Sequence, residues 1–381
     1  MQNLTTRSWN YYDIHGLVGM RVDDAAPAAA QLATIFACFA VKDPVSPDLV
    51  VMGRLDPLHE AGNLENDLRY TADTVELLHD RVQIRRREDG FDVFGPGELL
   101  TAVVALLDVL MVERGAAMFH AATVAYQGIG IALPAAGGTG KTSTIAKLMK
   151  RPGYTFMGDD WAFISNKGEQ LGYAKPMFIK PHHRAIYPHL FEGHRKPLVP
   201  SSLSRPIGRL TTVVHPYMVR KPRLADLARR WSPEHRMVTA EHALPSATVT
   251  SRAPLALSVF IERYDGARTR LTECSTEWMV DRMIGNFHIE LSRPSRDVIE
   301  AMSATSIVPT RGHLMHKGDV LHEALVDLPC YLLRVPSVLT ADEASDDVVN
   351  HLHQLVQDID AKQPEQVLDL ADLDSSAEAV S

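Results

Sequence analysis

Residues 133–144, LPAAGGTGKTST, contain the residue types that hold phosphate groups in proteins. A common phosphate-binding pattern is G-x-x-x-x-G-K-[ST], in which backbone N–H groups surround the anion, the lysine contacts the β/γ-phosphates and the hydroxyl binds Mg²⁺. The run ends in Gly140-Lys141-Thr142 at the required spacing, although Ala135 stands where the pattern has its first glycine. These residues predict a phosphate site in which Lys141 and Thr142 are the functional side chains.

The elements around this loop must bring its N–H groups and a helix N-terminus together at one point. Residues 120–134, HAATVAYQGIGIALP, predict two strands with a turn at 127–128, and residues 143–151 predict a helix with one apolar face. The order is therefore strand, glycine-rich loop, helix, as a phosphate loop requires. The residues expected to contact phosphate are Ala136, Gly137, Gly138, Thr139, Gly140, Lys141, Thr142 and Ser143.

An acidic pair follows in the next predicted strand. Residues 154–164, YTFMGDDWAFI, predict one buried strand with Asp159 and Asp160 in its middle. In a kinase, one such aspartate binds Mg²⁺ and the other takes the proton of an attacking hydroxyl. The sequence does not distinguish their roles; we take both as catalytic candidates and assign the metal to Thr142 and Asp160. The alternative for an isolated Asp-Asp pair is a turn or a helix cap.

His120 begins the strand that precedes the loop and is the third candidate. A single histidine among apolar residues is also typical of a hydrogen-bonded core residue, so its role depends on its neighbours. Trp161 follows the aspartates directly and is expected to be a core or pocket-wall residue. A further group, His182, His183, His189 and His194, is more typical of a surface loop than of a metal site because no carboxylate cluster follows.

Together these residues resemble a known family. The run 119–160, FHAATVAYQGIGIALPAAGGTGKTSTIAKLMKRPGYTFMGDD, is similar to the catalytic core of the HPr kinase/phosphorylase group, which shares its nucleotide fold with ATP-dependent phosphoenolpyruvate carboxykinase. Members of that group have a strand beginning with histidine, a loop of the form G-x-S-G-x-G-K-[ST] and a later strand ending in Asp-Asp. His120 lies 21 positions before Lys141, an offset typical of the group. This chain departs from the pattern at Ala135 and at Gly137, where the group has a serine.

The resemblance implies a mixed α/β (α+β) fold with a carboxykinase-like P-loop core and a mixed sheet. It also implies a kinase that uses ATP and Mg²⁺ to phosphorylate a hydroxyl of a peptide or protein serine or of a small metabolite, in a specialised biosynthetic or modification pathway. Residues 204–209, SRPIGR, partly match a glycine-rich signature of the group, which makes Arg205 and Arg209 further candidates for phosphate contact. Two alternatives stay open: a non-catalytic nucleotide-binding sensor or scaffold, and carboxykinase-like chemistry on an organic acid. The catalytic candidates are His120, Lys141, Asp159 and Asp160.

The chain is predicted to contain an N-terminal α+β domain at 1–96 and a catalytic domain at 97–360. A basic, proline-interrupted insertion at 192–236 belongs to the second domain, and an acidic disordered tail covers 361–381. Other predicted elements are a strand at 49–53, a hairpin at 81–95 with Asp89-Gly90 as its positive-φ turn, a helix at 98–113 capped near Gly115, a strand at 255–263, a helix at 276–289, a strand at 331–335 and a helix at 342–359.

Composition restricts the function further. The net charge of −8 argues against a general nucleic-acid partner, and the apolar stretches are shorter than the roughly 20 residues that span a bilayer. The N-terminal residues lack a signal-peptide pattern, and the three cysteines form no C-x-x-C pair, so we expect a cytoplasmic protein. The basic segment favours an acidic phosphoryl acceptor as partner, and homo-oligomerisation is left open.

Overall fold

The computed structural model describes residues 8–56, 62–180, 183–184, 186–191 and 236–362. The chain contains both helices and strands, and both large sheets combine parallel and antiparallel pairs, which confirms the predicted mixed class. Residues 192–235 of the predicted basic insertion, with Arg205, Arg209 and His194, lie outside the described residues, as does His182. Of the other two histidines expected in a surface loop, His189 is exposed, but His183 is buried. No helix within these ranges is long and apolar enough to cross a bilayer.

The N-terminal part forms a nine-stranded sheet in the order β3-β1-β2-β4-β9-β8-β7-β6-β5. In it, β4 runs parallel to β2 and β9, whereas the other neighbours are antiparallel. A helix, α1 (Ala29–Ile35), lies against β2. The strands are β1 (Trp9–Ile14), β2 (Val18–Asp23), β3 (Ala40–Val41), β4 (Leu49–Met52), β5 (Asn63–Glu65), β6 (Leu68–Tyr70), β7 (Thr74–Leu77), β8 (Val82–Arg87) and β9 (Gly90–Phe94).

The predicted hairpin of β8 and β9 is confirmed, but the expectation for its turn is wrong. The turn consists of Glu88 and Asp89, and neither Asp89 nor Gly90 has a positive φ. Gly90 instead begins β9, where an added Cβ would lie 1.9 Å from the backbone oxygen of Asp48. The glycine is required because two backbones approach closely, not because the turn needs a left-handed residue.

The second large sheet has eight strands in the order β11-β10-β13-β14-β17-β19-β18, with β12 also paired to β10. Because β17 pairs with both β14 and β11, the path through the first five of these strands closes on itself. A small separate sheet joins β15 and β16. The strands are β10 (Ala116–Tyr126), β11 (Ile129–Pro134), β12 (Tyr154–Gly158), β13 (Trp161–Ser165), β14 (Glu169–Leu171), β15 (Met177–Ile179), β16 (Arg236–Val238), β17 (Arg252–Tyr264), β18 (Arg270–Glu273) and β19 (Cys330–Pro336).

Helices cover both faces of this second sheet. Apolar residues of α3 and α8 pack on one face, and those of α5 and α7 on the other. Alternating residues of β10 serve the two layers, with Phe119 facing α5 and α7 and Val124 facing α3 and α8. The helices after α1 are α2 (Leu99–Glu113), α3 (Lys141–Leu148), α4 (Ala240–Ala243), α5 (Thr276–Glu290), α6 (Arg293–Ala304), α7 (Thr310–Leu325) and α8 (Ala341–Lys362).

Helix α2 lies between the two sheets and is buried almost all round. It contacts β2, β4 and β9 of the first sheet and β10, α6 and α7 of the second part. A helix that is apolar on every side is typical of such a position. Gly115 follows its end with a φ of +77°, as expected for a glycine that terminates a helix. One apolar core therefore extends from the N-terminal sheet into the second part of the chain.

The prediction of a single strand over 154–164 is wrong. Strands β12 and β13 both pair with β10, but the chain leaves the ladder between them at Asp159 and Asp160. Asp160 has a φ of +86°, a backbone conformation that a strand cannot contain and that non-glycine residues rarely adopt. Such strain is concentrated at functional sites, where the surrounding structure maintains it. The interruption turns both carboxylates out of the sheet.

Other boundaries also differ from the predicted ones. Helix α3 begins at Lys141, two residues before the predicted start, so the lysine of the loop is also the first residue of the helix. Helices α6 and α7 were not predicted; α7 carries the fully buried Lys317 on its interior face, which breaks the apolar periodicity. Helix α8 continues to Lys362, and residues 363–381 of the predicted tail lie outside the described residues.

Candidate functional site

A cavity of about 210 Å³ opens beside the glycine-rich loop. Its walls come from the loop, from β10, from the connection between β12 and β13, from β15 and from the end of α5. Ala136 and Thr139 do not line it; the Thr139 hydroxyl instead donates to the Ala136 carbonyl within the loop at 2.9 Å. The predicted site residues that line it are His120, Gly137, Gly138, Gly140, Lys141, Thr142, Ser143, Asp159 and Asp160.

The backbone of the loop explains which of its residues must be glycine. Gly138 and Gly140 have φ values of +81° and +106°, which an L side chain rarely adopts. Ala135 does not have a positive φ, and its buried backbone forms a β-bridge to Ile261 of β17. Alanine therefore causes no backbone strain at the position where the common pattern has its first glycine.

Lys141 lies folded over its own loop. The side chain is largely buried, and Nζ donates to the carbonyls of Ala135 at 2.7 Å and Ala136 at 3.1 Å. Burial lowers the pKa of Lys141 below its ordinary value, although the carboxylates around the cavity oppose this shift. The ammonium is held against the carbonyls at the start of the loop, where a bound phosphate would add a strong anionic partner.

Thr142 and Asp159 bring two side-chain oxygen atoms together beside the start of α3. The Thr142 hydroxyl donates to Oδ2 of Asp159 at 2.7 Å, and Tyr187 donates its own hydroxyl to the Thr142 carbonyl at 2.9 Å. Burial, followed by the nearby charge of Asp160, raises the pKa of the Asp159 carboxyl. A hydroxyl and a carboxylate oxygen side by side are the ligand types that Mg²⁺ prefers. In this geometry Asp159, rather than the predicted Asp160, is the partner of Thr142.

Asp160 is held by two donors from opposite sides. His120 Nε2 lies 3.0 Å from Oδ1, and Lys175 Nζ lies 2.8 Å from Oδ2. Burial acts to raise the pKa of Asp160, but the Lys175 charge and the His120 hydrogen bond outweigh it and keep this pKa well below its usual range. The side chain is still 42% exposed, whereas that of His120 is 2% exposed. Asp160 is thus an ionised carboxylate that faces the cavity.

Asn286 of α5 determines how His120 makes this contact. The amide Nδ2 lies 3.3 Å from His120 Nδ1 and also donates to the carbonyls of His120 and Ala135, both at 3.1 Å. An amide N–H next to Nδ1 requires that nitrogen to be an acceptor, which leaves the imidazole proton on Nε2. Trp161 packs edge-on against the histidine at 5.4 Å between ring centroids. The histidine therefore has a fixed tautomer and a fixed orientation.

The polar residues of the site that were not predicted include Lys175, Lys180, His183, Asn286 and Glu290. Asn286 carries a usable signal because it is a polar residue among the buried apolar positions of α5, and Glu290 follows it at the i+4 spacing on the same face. The sequence around Lys175 contains no such signal. It reaches Asp160 because Tyr173, two residues earlier, forms a β-bridge to Gly158.

The cavity thus combines a glycine-rich loop and its lysine with two differently held carboxylates. Comparison with models of known protein families gives no match to this chain, and no curated protein matches it either. Its function is therefore inferred from the residues of the cavity.

Proposed function

We propose that this chain is an ATP- and Mg²⁺-dependent kinase that phosphorylates an alcohol group. The observation that carries the proposal is the meeting of three parts at one cavity: Lys141 of the loop, the Thr142–Asp159 pair and the exposed Asp160. Phosphoryl transfer needs a phosphate cradle, a metal position and a carboxylate that orients the acceptor hydroxyl. A protein that only binds nucleotide does not need the third part.

The residues present fit the groups that this reaction requires. The backbone N–H of Gly137 already donates to a carboxylate, Oε1 of Glu290, at 2.6 Å, which supports an anion-directed loop. Thr142 and Asp159 would hold Mg²⁺ through oxygen atoms. When bound, the metal would neutralise charge on the phosphate oxygens.

Asp160 would orient the acceptor hydroxyl and receive its proton. The hydroxyl oxygen forms a bond to the γ-phosphorus, the bond between that phosphorus and the β,γ-bridging oxygen breaks, and ADP leaves. Because its pKa is low, Asp160 takes the proton late, once the bond to phosphorus has made the hydroxyl acidic. Lys175 and His120 hold the carboxylate in place, and Lys141 compensates the charge on the leaving phosphate.

The proposal also includes a specific nucleotide-binding fold and a class of phosphoryl acceptor. A carboxykinase-like core is supported by the order of β10 with His120, β11, loop, α3 and β12 before the aspartates. The acceptor would be a serine hydroxyl of a peptide or protein, or a hydroxyl of a small metabolite. Lys175 and Lys180 line the cavity, which supports an acceptor that carries negative charge near its hydroxyl.

Replacement of the loop lysine tests the proposal. Purified Lys141→Ala is incubated with ATP, Mg²⁺ and candidate acceptors, and mass spectrometry measures the gain of about 80 Da that one phosphoryl group adds. Lys150→Ala, an exposed lysine just after the same helix, is the matched control. We expect transfer by the wild type and the control and none by Lys141→Ala. Full activity of Lys141→Ala contradicts the proposal, and ATP binding without transfer to any acceptor favours a sensor.

A further inference from the structure

Glu290, the last residue of α5, places its carboxylate in the loop. Oε1 accepts the Gly137 N–H at 2.6 Å, while Oε2 lies 4.0 Å from His120 Nε2. A Cβ built on Gly137 would come within 3.0 Å of the same Oε2. Position 137 is where the chain departs from the serine of the resembling group, and the Glu290 carboxylate would have to shift by a few tenths of an ångström to admit a Cβ there.

This carboxylate stands between the two halves of the proposed reaction. On one side is the loop that would hold the phosphoryl donor, and on the other is His120 with Asp160, which would hold the acceptor hydroxyl. The group that passes from donor to acceptor must lie between them, because bond formation requires the two to meet. The carboxylate and a terminal phosphoryl group would therefore compete for the Gly137 N–H, and their like charges repel.

We propose that Glu290 is a specificity-determining residue that occupies the place of the terminal phosphoryl group. With Glu290 in the loop, a nucleoside diphosphate is accommodated, whereas a triphosphate has to displace the carboxylate before it binds. The side chain is 23% exposed and sits at a helix end, so rotation about its own bonds is sufficient to move it. The inference rests on the proposed function, because it assigns a nucleotide to the loop.

The test compares two nucleotides rather than activity. Glu290→Gln keeps the size and the acceptor oxygen and removes the charge, and Glu277→Gln makes the same change at the exposed opposite end of α5. Titration calorimetry measures the binding of Mg²⁺-ADP and of a non-hydrolysable β,γ-imido ATP analogue. For Glu290→Gln we expect tightening of about tenfold for the triphosphate and less than about twofold for ADP. Glu277→Gln should change neither.

The outcomes separate this inference from the function on which it rests. Suppose that both nucleotides bind in a Lys141-dependent way and that Glu290→Gln leaves their affinities unchanged or raises both equally. This result overturns the role of Glu290 and leaves the kinase proposal standing. Absence of nucleotide binding in the wild type and in Glu290→Gln overturns both. If Glu290→Gln fails to fold by circular dichroism, Glu290→Asp replaces it. That variant withdraws the carboxylate by one methylene and should shift the preference in the same direction by a smaller factor.

Discussion

His120 donates from Nε2 to Oδ1 of Asp160 over 3.0 Å, so the histidine serves the carboxylate and does not compete with it for a proton. The direction of this hydrogen bond follows from the ionised Asp160 carboxylate, which can only accept, and it agrees with the Asn286 amide next to the opposite ring nitrogen. A neutral imidazole whose acceptor nitrogen is occupied cannot remove a proton from a substrate in the cavity. Within the proposed reaction, Asp160 therefore receives the proton and His120 is a positioning residue.

Removal of the Asn286 amide should free the His120 ring from its fixed orientation. We expect Asn286→Leu to lower phosphoryl transfer by roughly 10- to 100-fold, because the histidine ring loses the amide that orients it. The free energy of unfolding should fall by about 1–3 kcal/mol, since the buried carbonyls of His120 and Ala135 lose a donor. Nitrogen-15 NMR of the histidine ring reads the tautomer directly. A wild-type spectrum with the proton on Nδ1 would contradict the assignment.

Substitutions of the two aspartates should affect different kinetic properties. Asp159→Asn is expected to raise the Mg²⁺ concentration needed for half-maximal transfer, because it weakens the oxygen pair with Thr142. Asp160→Asn should instead lower kcat by about 10²- to 10⁴-fold at saturating Mg²⁺, as is typical for loss of a group that handles the proton. Magnesium titrations of initial rates distinguish the two. The opposite pattern would restore the sequence-based assignment of the metal to Asp160.

The low pKa of Asp160 predicts a pH dependence of stability. The pKa of an unfolded aspartate is about 3.9, which is above the pKa of Asp160 in the folded chain. Between these two pKa values the unfolded chain therefore binds more protons than the folded chain. The free energy of unfolding therefore rises with pH in that window, and the stabilisation is lost as the pH falls towards the folded pKa. In urea unfolding, the advantage of the wild type over Asp160→Asn should be constant near neutrality and shrink below about pH 4. An advantage that grows on acidification contradicts a lowered pKa.

A buried ion pair links α2 to α7 behind the site. Lys317 Nζ lies 2.6 Å from Oδ1 of Asp108, both side chains are almost completely inaccessible, and His313 Nε2 contacts the other carboxylate oxygen at 3.0 Å. The ammonium also lies 3.2 Å from the ring centroid of Phe287. Burying a charge costs free energy unless the charge is paired, so each partner offsets the cost of burying the other.

Removal of one partner should therefore cost more than removal of both. We expect Asp108→Ala to lower the free energy of unfolding by about 3–5 kcal/mol, because the Lys317 ammonium remains buried without its carboxylate. The double variant Asp108→Leu/Lys317→Met should recover most of this loss, since apolar groups of similar volume then fill the space. Denaturant unfolding measures both effects. A double variant no more stable than Asp108→Ala would show that the pair does not behave as a coupled unit.

The glycine-rich loop, its lysine and threonine, and the candidates His120, Asp159 and Asp160 could be identified from short stretches of sequence. Their chemistry is contained in consecutive residues or in neighbouring elements, and the glycines at 138 and 140 follow directly from the loop conformation. Lys175 could not be identified in this way, and the polar residues Asn286 and Glu290 stand out on α5 without indicating that they reach the loop. They belong to segments whose approach to the loop depends on packing of the whole second sheet.

Residues that are adjacent in the sequence can have very different environments in the folded chain. The sequence identifies Asp159 and Asp160 as a pair, but their different surroundings arise from the positive φ of Asp160 and from donors supplied by separate elements. Gly137 and Glu290 are 153 positions apart and meet only because α5 packs against β10 beside the loop. Local patterns are sufficient for a phosphate loop because its anion site is made from consecutive backbone groups. The roles of the groups around it depend on long-range contacts, which local periodicity and spacing do not contain.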